Sequence, residues 1–147
     1  MGMTEFIVSA LPAGEADGAA PAGRRLLAEG PSPCRRCLRR AEVGDPLLLL
    51  TYNPFTVPSP YAGEGPVFVH ADGCEPRSCA PGEVPDQVAE SMLSVRAYDE
   101  QAMMVGAEVL TGARLAERAR ALLRPGVAFL HVHFAGPGCF AFRVDPA

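Results

Sequence analysis

Apolar residues in this chain fall into short runs separated by Gly- and Pro-rich stretches, and a helical period emerges in one place. Residues 5–11 alternate weakly and predict a first strand. Residues 12–23, rich in Ala, Gly and Pro, read as a loop or linker, and 24–29 as a short helical turn. The run 47–52, four leucines and then Thr51 and Tyr52, has the length of a buried strand. Residues 66–71 (PVFVHA), dense in β-branched and aromatic side chains, predict another. Between them, 53–66 holds four prolines and two glycines and predicts a long irregular loop, a feature often tied to function in compact domains. Residues 72–85 read as a second turn-rich loop, after which Pro85 opens a short helix with Asp86 in its first turn.

Residues 93–98 and 103–110 predict two strands joined near Asp99, Glu100 and Gln101. The helical period lies in 111–124. Thr111 is placed to cap it, and Leu115, Ala119, Leu122 and Leu123 form one apolar stripe. Arg120 and Arg124 suit its C-terminal end, and Pro125-Gly126 terminates it. Residues 127–135 and 139–144 are the last two strands, joined by a turn at 136–139 with Pro and Gly at its centre. Many strands with short connections and one clear helix predict an α+β fold. Its form is a mostly antiparallel curved sheet or partial barrel packed on that helix, built as a single domain over 1–147 with an irregular segment at 12–30.

Composition narrows the function. With 147 residues, 48% of them hydrophobic, the chain has material for one core. A net charge of −4 and a pI near 5.3 disfavour binding to a phosphate backbone, so no nucleic-acid partner is expected. All thirteen basic residues are arginine, which excludes lysine-based Schiff-base or phosphate-loop chemistry. No signal peptide, lipidation motif or membrane-spanning run is visible, which predicts a cytoplasmic protein whose five cysteines stay reduced unless they bind metal or react.

Three constellations carry candidate chemistry. His131 and His133 are two apart on a strand and so share a face. With His70, at the end of another strand, they predict a three-histidine metal site or a proton-transferring pair, the bland reading being hydrogen-bonded core histidines. If Pro137 and Gly138 alone form the closing turn, His133 pairs with Phe142 and His131 with Val144. Both imidazoles then share an apolar face with Phe129, Phe140, Phe142 and Val144. A loop longer by one residue sets them against Arg143 and Ala141 instead.

Second, Cys34 and Cys37 form a C-x-x-C pair and Cys74 and Cys79 a looser one, which together suit a structural zinc site. A redox pair at Cys34 and Cys37 lacks the surrounding βαβ pattern, and Cys139 reads as a turn-side core residue. Arg35, Arg36, Arg39 and Arg40 beside the first pair form a basic patch, a docking surface or simply a solvated face. Third, Ser94, Arg96 and Tyr98 share a strand face. Arg96 is suited to clamp an anionic group, with Tyr98 as a hydrogen-bond donor and Tyr61 reaching in from the long loop. The plainer alternative for this set is a solvated face or an internal ion pair.

Three segments taken together, YAGEGPVFVHADGC (61–74), LSVRAYDEQAMMVGAEVL (93–110) and LHVHFAGPGCFAFRVD (130–145), with Cys34-Arg35 and 41–50, resemble the bacterial family known as domain of unknown function 1203. The resemblance runs from about Cys34 to the C-terminus. It implies a small bacterial protein and brings no activity and no catalytic residues with it.

The residues therefore carry the expectation by themselves. It is a small-molecule-binding or catalytic domain with His131, His133 and Tyr98 as catalytic groups, Arg96 and Tyr61 on the substrate, and His70, His131 and His133 as ligands of a divalent metal such as zinc. The alternative is a non-enzymatic interaction module stapled by zinc through Cys34, Cys37, Cys74 and Cys79. A small-molecule ligand is expected, and no membrane.

Overall fold

The computed structural model describes residues 5–11 and 23–147. The loop expected at 12–23 lies, but for its last residue, outside the described residues. In chain order the strands are β1 (Phe6–Ser9), β2 (Arg24–Leu27), β3 (Ser32–Pro33), β4 (Arg40–Ala41), β5 (Pro46–Tyr52), β6 (Gly65–His70), β7 (Met92–Tyr98) and β8 (Met104–Thr111). Helix α1 (Leu115–Leu122) follows, and then β9 (Phe129–Phe134) and β10 (Phe140–Pro146).

The main sheet has five antiparallel strands in the order β1-β10-β9-β7-β8. A second antiparallel sheet runs β2-β5-β6, and β3 and β4 form a short ribbon. The main sheet stays open, with β1 and β8 as separate edges, and is not closed into a barrel. The helical turn expected at 24–29 is instead strand β2. Its four residues are too few to build a stable helix alone, and they take their hydrogen bonds from β5.

One face of the main sheet carries the core. Leu93, Val95 and Ala97 of β7, Leu130, Val132 and Phe134 of β9, and Phe142 and Val144 of β10 pack with Leu115, Ala119 and Leu122 of α1. The helix is shorter than the period predicts. Thr111 ends β8 and makes no capping bond, Gly112–Arg114 form a 3-10 turn, and α-geometry lasts only for Leu115–Leu122. Gly112 is required there: a Cβ would lie 1.7 Å from the Val88 carbonyl oxygen. No helix among the described residues is long and apolar enough to cross a membrane.

The opposite face of the main sheet is the polar one. Ser94, Arg96 and Tyr98 pair across to His133, His131 and Phe129. The β9–β10 register differs from the simple turn expectation. An irregularity between Phe140 and Phe142 slips the ladder, so that Phe140 faces His133 and Arg143 faces His131. Phe142 and Val144 thereby turn to the core, and Arg143 joins the histidines.

Candidate metal centre and polar pocket

The chain reverses at Cys34–Cys37, just after β3. The Leu38 amide donates to the Cys34 carbonyl at 3.0 Å, and the Cys34 amide to the Arg39 carbonyl at 3.0 Å. Leu38 closes this turn at φ 58°, a left-handed conformation that costs a branched residue about 1 kcal/mol or more. Its side chain is buried in the main core, which holds it there. The turn lies against β6: Cys34 bridges Phe68, and the Arg35 amide donates to the Phe68 carbonyl. His70 ends that strand, and Cys74 follows in the loop.

Cys34, Cys37, His70 and Cys74 present their ligand atoms within 4.8 Å of one another, and among the described residues no other group of three or more possible ligands does so. The Cys34 and Cys74 sulfurs are 3.6 Å apart, and the Cys37 sulfur is 3.6 Å from His70 Nδ1. Tetrahedral zinc with ordinary bond lengths sets two thiolates about 3.8 Å apart and a thiolate and an imidazole nitrogen about 3.6 Å apart. The ring's other nitrogen, Nε2, lies 3.7 Å from Asp45 Oδ2, the arrangement in which a carboxylate orients a metal-binding histidine.

The thiols are electrostatically graded. The Cys37 thiol and the backbone amides of Cys37, His70 and Arg36 bear on the Cys34 sulfur and, against burial, hold its pKa well below the usual thiol range. Cys37 is pushed up by that same contact with Cys34 and by burial, and Cys74 by burial and by Cys34. The Arg36 charge favours the Cys74 thiolate.

Three expectations change here. His70 belongs with the cysteines, so the three-histidine set is not brought together. Cys79 lies instead in the main core with Phe6 and Val8, where burial raises its pKa. The basic run is not a solvated face either. Arg35 and Arg36 are buried, and only Arg39 and Arg40 are exposed. Arg35 donates to the Phe140 and Pro33 carbonyls, both at 2.7 Å, and to the Cys139 sulfur at 3.0 Å, while stacking on Phe134.

His131, His133, Arg96, Tyr98 and Tyr61 do come together on the polar face. His133 Nδ1 donates to the Gly138 carbonyl at 3.0 Å, which leaves Nε2 to accept from Arg96 Nη1 at 3.4 Å. Tyr61 and Tyr98 have ring centroids 5.8 Å apart. His131 lies behind them, wholly buried, ringed by Phe55 at 4.7 Å, Phe129 at 5.0 Å, and Tyr98 and Phe140 at 5.2 Å each. Neither of its nitrogens makes a hydrogen bond. Burial, with His133, Arg143 and Arg96 adding to it, pushes its pKa down to about 3.

Sequence reasoning missed Asp45 and Phe55, which carry no local signal, whereas the slipped register was one of its two alternatives and placed Arg143 against the histidines. The pairing of His70 with Cys74 was legible as H-x-x-x-C, a spacing that suits zinc. No curated protein and no solved structure matches the chain. Residues 31–145, from just ahead of Cys34 to the last strand, match the family described as protein of unknown function (DUF1203), and the chain belongs to that family.

Proposed function

We propose that this chain is a zinc-binding domain in which Cys34, Cys37, His70 and Cys74 hold one zinc ion as a structural staple. The observation that carries this reading is the gathering of four ligand atoms within 4.8 Å of one another, with the Cys34–Cys74 and Cys37–His70 pairs at 3.6 Å, close to the edge lengths of a tetrahedral zinc site. Four protein ligands fill the coordination sphere, so no position stays open for a reacting water, and the site is structural rather than catalytic.

The metal has a mechanical role. The ligands come from the turn after β3, the end of β6 and the loop after it, a region whose own core is small: Leu11, Cys34, Leu50, Val67, Val69 and Phe140. A few buried side chains supply little stability there, and the ion joins three segments of which only the turn, through Leu38, is anchored in the main core. Cobalt substitution tests the reading. Tetrahedral d–d bands together with thiolate-to-cobalt absorption, both lost in Cys37→Ser, are expected. Octahedral, weak spectra or unchanged bands in Cys37→Ser contradict it.

A further inference from the structure

The long loop between β5 and β6 roofs a cavity on the polar face of the main sheet, lined by none of the four candidate metal ligands. Its volume is about 260 Å³, and its walls include the rings of Tyr52, Phe55, Tyr61 and Tyr98, with Arg96 and His133 supplying polar groups. This is somewhat below the range of pockets that take drug-sized ligands, so the occupant is small.

The cavity walls carry one cation, Arg96, and one exposed carboxylate, Glu64. Arg96 has no carboxylate within ion-pair distance among the described residues; Glu64, exposed at the rim, makes no ion pair with it. The hydrogen bonds from Arg96 go to neutral acceptors, Ser94 Oγ at 3.2 Å and His133 Nε2 at 3.4 Å. His133 is itself held neutral, chiefly by burial, so it adds no second positive charge. A half-buried guanidinium facing aromatic walls without a counter-ion favours an anion that replaces the water it has lost. The wall chemistry then selects among anions. A fully hydrated oxyanion such as phosphate leaves the rings without apolar partners, whereas a carboxylate on a flat apolar body satisfies both parts of the cavity.

We propose that this cavity binds a small planar carboxylate, its carboxyl group on Arg96 and its apolar face against Tyr61, Tyr98 and Phe55. His131 stands behind the same wall with both nitrogens unpartnered. A fully buried polar ring that makes no hydrogen bond is costly, which marks this side of the sheet as a place where stability yields to another demand.

The test uses the full chain with its metal content left as purified, titrated with benzoate, with its neutral isostere benzamide and with inorganic phosphate. Binding is followed by backbone amide chemical shifts. Expected are saturable shifts with benzoate at residues 53–66, 94–98 and 131–140, at least about tenfold weaker binding of benzamide and of phosphate, and loss of about tenfold in Arg96→Gln. Tyr61 is 44% exposed, so Tyr61→Ala leaves the fold intact and is expected to weaken benzoate severalfold. Absence of saturable shifts, equal binding of benzamide, shifts that map outside the cavity, or unchanged affinity in both variants overturns the proposal. If Arg96→Gln does not fold, Tyr61→Ala decides the matter.

Discussion

The buried imidazole of His131 makes a quantitative prediction about acid stability. Its folded pKa is near 3, against about 6.5 in an unfolded chain. The folded value is the lower one, so between those two pH values the unfolded chain binds the extra proton. Stability is therefore fully present above about pH 6.5 and is lost as pH falls towards 3, at up to about 1.4 kcal/mol per pH unit. The gap of about 3.5 units amounts to some 4–5 kcal/mol if traversed completely. His131→Phe removes the titrating group and keeps a ring among Phe55, Tyr98, Phe129 and Phe140. Its absolute stability reflects two opposed terms, relief of unpaired nitrogens and overpacking, each about 1–3 kcal/mol. The pH slope isolates the titration. Urea unfolding at about pH 7 and about pH 5, with zinc in excess for both proteins, is expected to show the wild type losing about 2 kcal/mol more than His131→Phe. Losses that agree within about 0.5 kcal/mol refute the reasoning and mean that His131 finds a polar partner.

Gly112→Ala places a methyl group against the Val88 carbonyl and is expected to cost about 3 kcal/mol or more in thermal or urea unfolding; a cost under about 1 kcal/mol contradicts the close approach. Asp45→Asn weakens the orientation of His70 and is expected to lower zinc affinity about 10- to 100-fold in competition with a chelator, while unchanged affinity removes Asp45 from the site. Arg35→Met leaves the Phe140 and Pro33 carbonyls without their donor and is expected to cost about 2–4 kcal/mol, against about 0.5 kcal/mol or less for Arg39→Met on the surface. Equal effects of the two substitutions contradict the buried role of Arg35.

Most strands were legible because their signal is local. The apolar runs at 47–52 and 66–71 became β5 and β6, and the alternation at 93–98 became β7 with Ser94, Arg96 and Tyr98 on one face. Alternation within 127–135 likewise put His131 and His133 on one face of their own strand. Which strands become neighbours depends on long-range pairing, and so the meeting of β7 with β9 required the structure. The helix was overextended because its period begins before the backbone can leave β8: Gly112 is held by Ser91 and packed on Val88. The metal set was half legible. Cysteine spacing indicated Cys34, Cys37 and Cys74, whereas His70 was grouped by residue type with histidines on another sheet, and Cys79 by proximity in sequence to Cys74. Five residues beyond Cys74 the chain has already returned to the main core, where Ser78 bridges Ser9. The arginine run misled for a related reason: the turn after β3 drives Arg35 inward to meet the carbonyls of Pro33 and Phe140.

The most direct test of the metal centre is elemental analysis of untagged protein purified without chelators, in the wild type and in His70→Ala, His131→Ala and Cys79→Ser. One zinc per chain in the wild type, retained in His131→Ala and Cys79→Ser and lost in His70→Ala, is the predicted result. Zinc that persists in His70→Ala but disappears in Cys79→Ser or His131→Ala contradicts the Cys34, Cys37, His70 and Cys74 site, as does a wild-type chain that binds no metal even when zinc is supplied.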